Sequence, residues 1–160
     1  MAITYVTNRE TDPYKDGCDQ IMRLCADDVI DGYFAFHSVS NMWFVLKSLR
    51  KMINGDPVNE LLMTSSEVRE SIRDICQLLT VVGASNDQIL EAIDREDFSD
   101  FEDALQDECA KAVDADYIVT GNIKDFRYSG IPAVTPDMLL QIIGQKYSEE
   151  VEKMGKDNRP

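Results

Sequence analysis

The stretch DFEDALQDECAKAVDADYIVTGNIKDFRYSGIPAVT, residues 100–135, decides the fold. Its acidic opening, Asp100, Glu102 and Asp103, leads into an amphipathic helix. The helix gives way to ADYIVT at 115–120, whose apolar, β-branched run predicts a short buried strand. Gly121-Asn122 stop that strand, and Asp125-Phe126 follow at once. A second short strand is predicted over Ile131 to Val134, followed by another helix. Helix, strand, polar turn and strand make the second half of an α/β unit. In open α/β sheets, sites lie just beyond the carboxyl ends of the strands. Asn122 and Asp125 therefore stand where chemistry is expected.

Working outward, Ala2 to Thr7 is β-prone and Asn8 to Pro13 reads as a loop. Lys15 to Asp27 has a helical pattern, with Ile21, Leu24, Cys25 and Val29 near one face. Asp31-Gly32 marks a turn and Tyr33 to Phe36 a strand. His37-Ser38 open a long helix whose stripe of Met42, Val45, Leu46 and Leu49 is widened by Trp43 and Phe44. Asn54-Gly-Asp-Pro breaks the chain. Helices are predicted at Glu60 to Met63 and Val68 to Leu78, the second started by Thr64-Ser65-Ser66. Leu79 to Val82 reads as a strand, and Ser85-Asn86-Asp87 caps a short helix through Ile93. Arg95 to Ser99 is a charged loop. Thr135 caps the last helix, with Pro136 at its first position. From Gly144 the chain turns polar, which divides it into a domain over 1–143 and a tail, frayed or disordered, over 144–160.

The 160 residues fit one domain with a real core. No apolar run has the length of a membrane span, and the N-terminus lacks the pattern of a signal peptide, so a cytoplasmic protein is expected. Cysteines at 18, 25, 76 and 109 lack the close spacing of a zinc or dithiol motif and read as packing residues in a reducing compartment. Thirty acids against 16 bases give a net charge of −14, which argues against tight non-specific nucleic-acid binding. It leaves room for a carboxylate cluster around a divalent metal, whose charge inverts the local field. No phosphate-binding glycine loop, nucleophile elbow or metalloprotease motif is present, which sets a small-molecule enzyme aside.

DFEDALQ at 100–106, ADYIVTGNIKDF at 115–126 and IPAVTP at 131–136 together resemble the PIN domain family, most closely its VapC-type toxin branch. Weaker resemblance runs back through GYFAFHSVSNMWFVLKSL at 32–49 to about Thr7. The resemblance implies a three-layer α/β fold, a short central parallel sheet flanked by helices. It also implies a bacterial ribonuclease using Mg²⁺ or Mn²⁺, a cognate antitoxin partner and a homodimer. Carried over residue by residue, Asp103 matches the central-helix acid. Asn122 stands where many relatives carry an acid, and Asp125 is its substitute. Asn41 stands where the family often has Glu. The implied catalytic residues are Asp103 and Asp125, and the implied metal ligands are Asp103, Asn122, Asp125 and Asn41. Glu102, Asp100 and His37 support them. Counted back, the family's first acid would fall before Met1, so the first strand is expected to be absent or replaced. By the residues alone, Asp100, Glu102 and Asp103 read equally as helix-capping acids, Asp125 as a turn cap and His37 as a hydrogen-bonded structural residue. Asparagines at two acidic positions, the missing acid and the net charge also permit a catalytically silent module that binds a protein partner or itself.

Overall fold

A computed structural model describes residues 13–53 and 56–157. Helix α1 (Lys15–Ala26) is followed by strand β1 (Tyr33–Ala35) and helix α2 (Phe36–Ser48). A hairpin of β2 (Arg50–Ile53) and β3 (Asp56–Leu61) precedes α3 (Ser65–Leu78), β4 (Thr80–Val82) and α4 (Asn86–Asp94). Then come α5 (Phe101–Lys111), β5 (Ile118–Val119), a 3₁₀ turn (Ile123–Phe126), β6 (Ala133–Val134) and α6 (Pro136–Asp157). The expected last helix continues past Gly144, with residues 144–149 exposed. The expectation about the first strand falls on residues 1–12, outside the described residues.

Local chemistry explains most boundaries. Thr64 and Glu67 form a reciprocal capping box at the start of α3: Glu67 N–H donates to Thr64 Oγ1 at 3.3 Å and Thr64 N–H to Glu67 Oε2 at 2.6 Å. Ser85 and Gln88 repeat it at α4. Thr135 Oγ1 accepts from Met138 N–H at 3.2 Å, as its place before Pro136 predicts. Glu60 to Met63 is not the predicted helix. The hairpin pairs Arg50 with Leu61 and Ile53 with Asp56 instead. Pro57 and β-branched Val58 disfavour the helix, and Asn54-Gly55 is a hairpin signal that outweighs the short apolar run.

Among the described residues the parallel strands form two separate pairs, β1 with β4 and β5 with β6. The first pair lies over the larger of two apolar clusters, and the second stands between them, with Val134 of β6 in the larger and Ile118 of β5 in the smaller. Phe34 of β1 joins Met42 and Leu46 of α2, Val68 and Ile75 of α3, and Ile21 and Met22 of α1 in the larger one. Ile118 of β5 joins Ala104 of α5, Ala92 of α4, Phe98 and Phe126 in the smaller one. Phe98 and Phe126 meet edge to face with centroids 6.1 Å apart. Helix α1 lies close against the start of α6: a Cβ at Gly17 would stand 2.6 Å from Asp137 Oδ1 and 2.8 Å from the Cβ of buried Pro136. Only glycine permits that approach.

Cys18, Cys25 and Cys109 are buried and Cys76 is exposed. No helix among the described residues is long and apolar enough to cross a membrane.

Candidate metal centre

Two strand ends and two helix starts build the site. Strand β1 ends at Ala35 and feeds α2, whose second turn carries Asn41. Strand β5 ends at Val119, and Thr120, Gly121 and Asn122 lead into the 3₁₀ turn that carries Asp125. The first turn of α5 supplies Glu102 and Asp103. Asn41 is rooted by its neighbour Met42 in the larger core, and Asp103 by its neighbour Ala104 in the smaller one. The site thus straddles the seam between the two cores.

Hydrogen bonds across and within that seam are specific. Asn41 Nδ2 donates to Glu102 Oε1, joining α2 to α5 over 61 residues of chain. Asn122 Nδ2 donates to Asp125 Oδ2 inside the 3₁₀ turn, and Asn122 N–H donates to Thr120 Oγ1 at 3.0 Å. In both pairs the amide nitrogen is committed to a carboxylate, which leaves the amide oxygen as the free donor atom. Asp100 is the N-cap of α5: its Oδ1 accepts from Glu102 N–H at 2.7 Å. The capping reading therefore holds for Asp100, while Asp125 lies inside the 3₁₀ turn and Asn122 occupies its N-cap position without a side-chain cap bond.

Asp103 is half-buried. Its carboxyl is pushed up from the ordinary range, first by burial and then by the charges of Asp125, Asp100 and Glu102. The Asp103 carboxylate thus stands within electrostatic reach of three others, drawn from two segments. His37 is held below its usual range by burial, while Glu102 pulls it the other way. Its Nε2 is buried with no hydrogen-bond partner, unlike the hydrogen-bonded structural histidine expected. Among the described residues, no three or more His, Cys, Asp and Glu side chains converge in a group that could hold a metal ion. Asp103 and Asp125 are coupled through their charges, with Asn122 bonded to Asp125 and Asn41 to Glu102.

A family model described as PIN domain matches residues 3–124, well over half of the chain. The chain belongs to the PIN domain family. PIN domains are nuclease-type α/β domains, generally dependent on divalent metal and associated with RNA. No curated protein and no solved structure matches this one.

The donor set fits the metal that this PIN domain would use. Mg²⁺ and Mn²⁺ take oxygen ligands, and Mg²⁺ is commonly held by one or two carboxylates together with waters and substrate phosphate. Two carboxylates under mutual repulsion and two amide oxygens meet that description.

Sequence reasoning missed a second polar network, which supports the site from below. Asp107 is fully buried and Glu108 nearly so. Arg95 Nη1 lies 3.2 Å from Asp107 Oδ2, and Lys111 Nζ lies 2.9 Å from Asp107 and 2.6 Å from Glu108. Ser129 Oγ donates to Asp107 Oδ1, and Arg95 Nη2 donates to the Tyr128 carbonyl at 3.1 Å. The i,i+3 and i,i+4 spacing of both acids to Lys111 is visible in the sequence. Their burial is not.

Proposed function

We propose that this PIN domain is a Mg²⁺- or Mn²⁺-dependent endoribonuclease, the toxin component of a bacterial toxin–antitoxin pair acting in the cytoplasm. The observation that carries the reading is the convergence of Asp103 and Asp125 beyond the end of β5, where Asp125 raises the pKa of Asp103. A divalent cation relieves that repulsion. Asp103 and Asp125 would hold it, with the oxygens of Asn122 and Asn41 completing the protein ligands. The bound cation supplies an activated water and offsets charge on the attacked phosphodiester. Asn122 orients the Asp125 carboxylate, and Asn41 fixes Glu102. Asp100 holds the first turn of α5 through its N-cap bond. His37, kept neutral by burial, borders Glu102 without adding positive charge.

Cleavage of single-stranded RNA with Mn²⁺ tests this. Wild type is expected to cut and Asp103→Asn to lose the activity; equal cutting by both refutes the assignment.

A second reading, a silent module working through protein contacts, is favoured by the lack of a three-acid group among the described residues. It predicts no Mn²⁺ binding by calorimetry and no cleavage. Protein contacts belong to both readings. Phe36 and Phe44 of α2 are 69% and 78% exposed, large apolar surfaces of the kind an antitoxin or a second copy of the chain covers. Light scattering of the protein alone distinguishes the homodimer from the monomer.

A further inference from the structure

The polypeptide just past Asp125 carries a feature that the metal centre does not use. Hydrogen bonds of i,i+3 type link Asn122 C=O to Asp125 N–H, Lys124 C=O to Arg127 N–H and Phe126 C=O to Ser129 N–H. The 3₁₀ helix ends at Phe126, and a turn over Arg127 and Tyr128 follows it. Side chains three apart eclipse in a 3₁₀ helix. Asn122 and Asp125 share one row, Lys124 and the C-cap Arg127 a second, and Ile123 and buried Phe126 the inner one. The Asn122–Asp125 hydrogen bond is a direct sign of that eclipsing.

Tyr128 stands three residues past Asp125, in the turn that follows the 3₁₀ helix. Its ring is 53% exposed, and the Arg127 guanidinium lies over it at 4.7 Å from the centroid. Lys124 and Arg127 are both exposed, and neither forms an ion pair among the described residues. The segment is fastened from beneath. Arg95 binds the Tyr128 carbonyl, and Ser129 Oγ both donates to buried Asp107 and accepts Ile131 N–H at 2.9 Å. An exposed aromatic ring and two unpaired cations on a rigid turn are an unusual surface on a chain of net charge −14.

We infer that Tyr128 and Arg127, with Lys124 beside them, form the substrate-binding platform for single-stranded RNA: the ring stacks a base and the cations take the adjoining phosphates. Stacking on an aromatic ring with a backbone-tracking cation is the general chemistry of single-strand binding. The platform delivers the strand toward Asp125, three residues back along the chain. This inference rests on the ribonuclease reading but is tested without catalysis.

The experiment is fluorescence anisotropy of a labelled mixed-sequence single-stranded RNA with the full-length protein in EDTA. Tyr128→Ala is expected to weaken binding roughly 5- to 150-fold, the range for one lost base–aromatic stack. Tyr128→Phe retains the ring and is expected to bind as wild type does. Arg127→Ala is expected to weaken binding and to flatten the log–log salt dependence by about 0.7 for one lost phosphate contact. Arg73→Ala, an exposed cation on α3, is the control expected to show no change. Duplex RNA, whose bases are already stacked, is expected to bind less well than the single strand. Wild-type affinity in both Tyr128→Ala and Arg127→Ala overturns the inference, as does no RNA binding by wild type. Binding without Mn²⁺-dependent cleavage would instead overturn the ribonuclease reading alone.

Discussion

Replacing Arg95 by methionine removes one cation from above two buried acids while keeping an unbranched stem against Phe98, over whose ring the guanidinium lies at 4.6 Å. Breaking a buried ion pair from one side costs about 3–5 kcal/mol, because the remaining charge is left uncompensated. Here Lys111 stays 2.9 Å from Asp107, so the low end applies, about 3 kcal/mol. The lost contact with exposed Asp97 adds little. For a domain of this size, each kcal/mol moves the thermal midpoint by about 2–4 °C, so Arg95→Met is expected to melt about 6–12 °C below wild type. Circular dichroism melts and urea titrations measure this directly. The double variant Arg95→Met/Asp107→Leu, which leaves no buried acid at 107, is expected to recover a substantial part of the loss. A cycle over the four proteins gives the coupling between the two residues. A single variant within about 1 kcal/mol of wild type, or a cycle with no coupling, would show that the pair does not hold α5 in place.

Asp103→Asn is expected to raise the melting temperature at neutral pH without metal. The native fold raises the Asp103 pKa, so ionising this carboxyl opposes folding; the penalty is fully present above the raised pKa and vanishes below the unfolded one. The gap between variant and wild type should therefore close as pH falls through the carboxylate range, and a pH series of melts checks it. Gly17→Ala forces a methyl against Asp137 and Pro136 and is expected to destabilise by about 1–3 kcal/mol, measured by urea unfolding. Met42→Ala, at a fully buried position of α2, is expected to lose about 2–5 kcal/mol in the same assay. Cys76 is expected to be the one thiol that reacts quickly with an aromatic disulfide reagent. Burial raises the pKa of both Cys25 and Cys109, and all four thiols should react once urea unfolds the chain.

Much of the architecture was legible where local chemistry and tertiary demand agree. Thr64, Ser85 and Thr135 announce helix starts because each can bond a backbone N–H three residues on. Residues 60–63 were misread because a short apolar run has no decisive period, and pairing with Arg50–Ile53 settles it only through contacts distant in the chain. Asp103, Asp125, Asn122 and Asn41 were singled out through the family resemblance, and the fold bonds Asn41 to Glu102 and sets Asp125 within electrostatic reach of Asp103. His37 was expected to be hydrogen-bonded, and its bare Nε2 depends on packing that no spacing reveals. Asp107 and Glu108 were hidden because an acid near a lysine on a helix usually faces water. Only the packing of α4 and the loop holding Arg95 against α5 puts them inside.

Helix α5 therefore carries two sets of acids under opposite electrostatic conditions. Asp103 lies at the rim and repels its neighbours, whereas Asp107, one turn further on, is locked between cations and a hydroxyl. Asparagine differs from aspartate by one base in its codon and has nearly the same shape. Neutralising a rim acid relieves repulsion on the fold, whereas neutralising Asp107 alone strips Arg95 and Lys111 of their buried partner. The asparagines at 41 and 122 are side chains that such neutralisation would leave behind. The same step in reverse would add carboxylates to the rim without disturbing the helix beneath it.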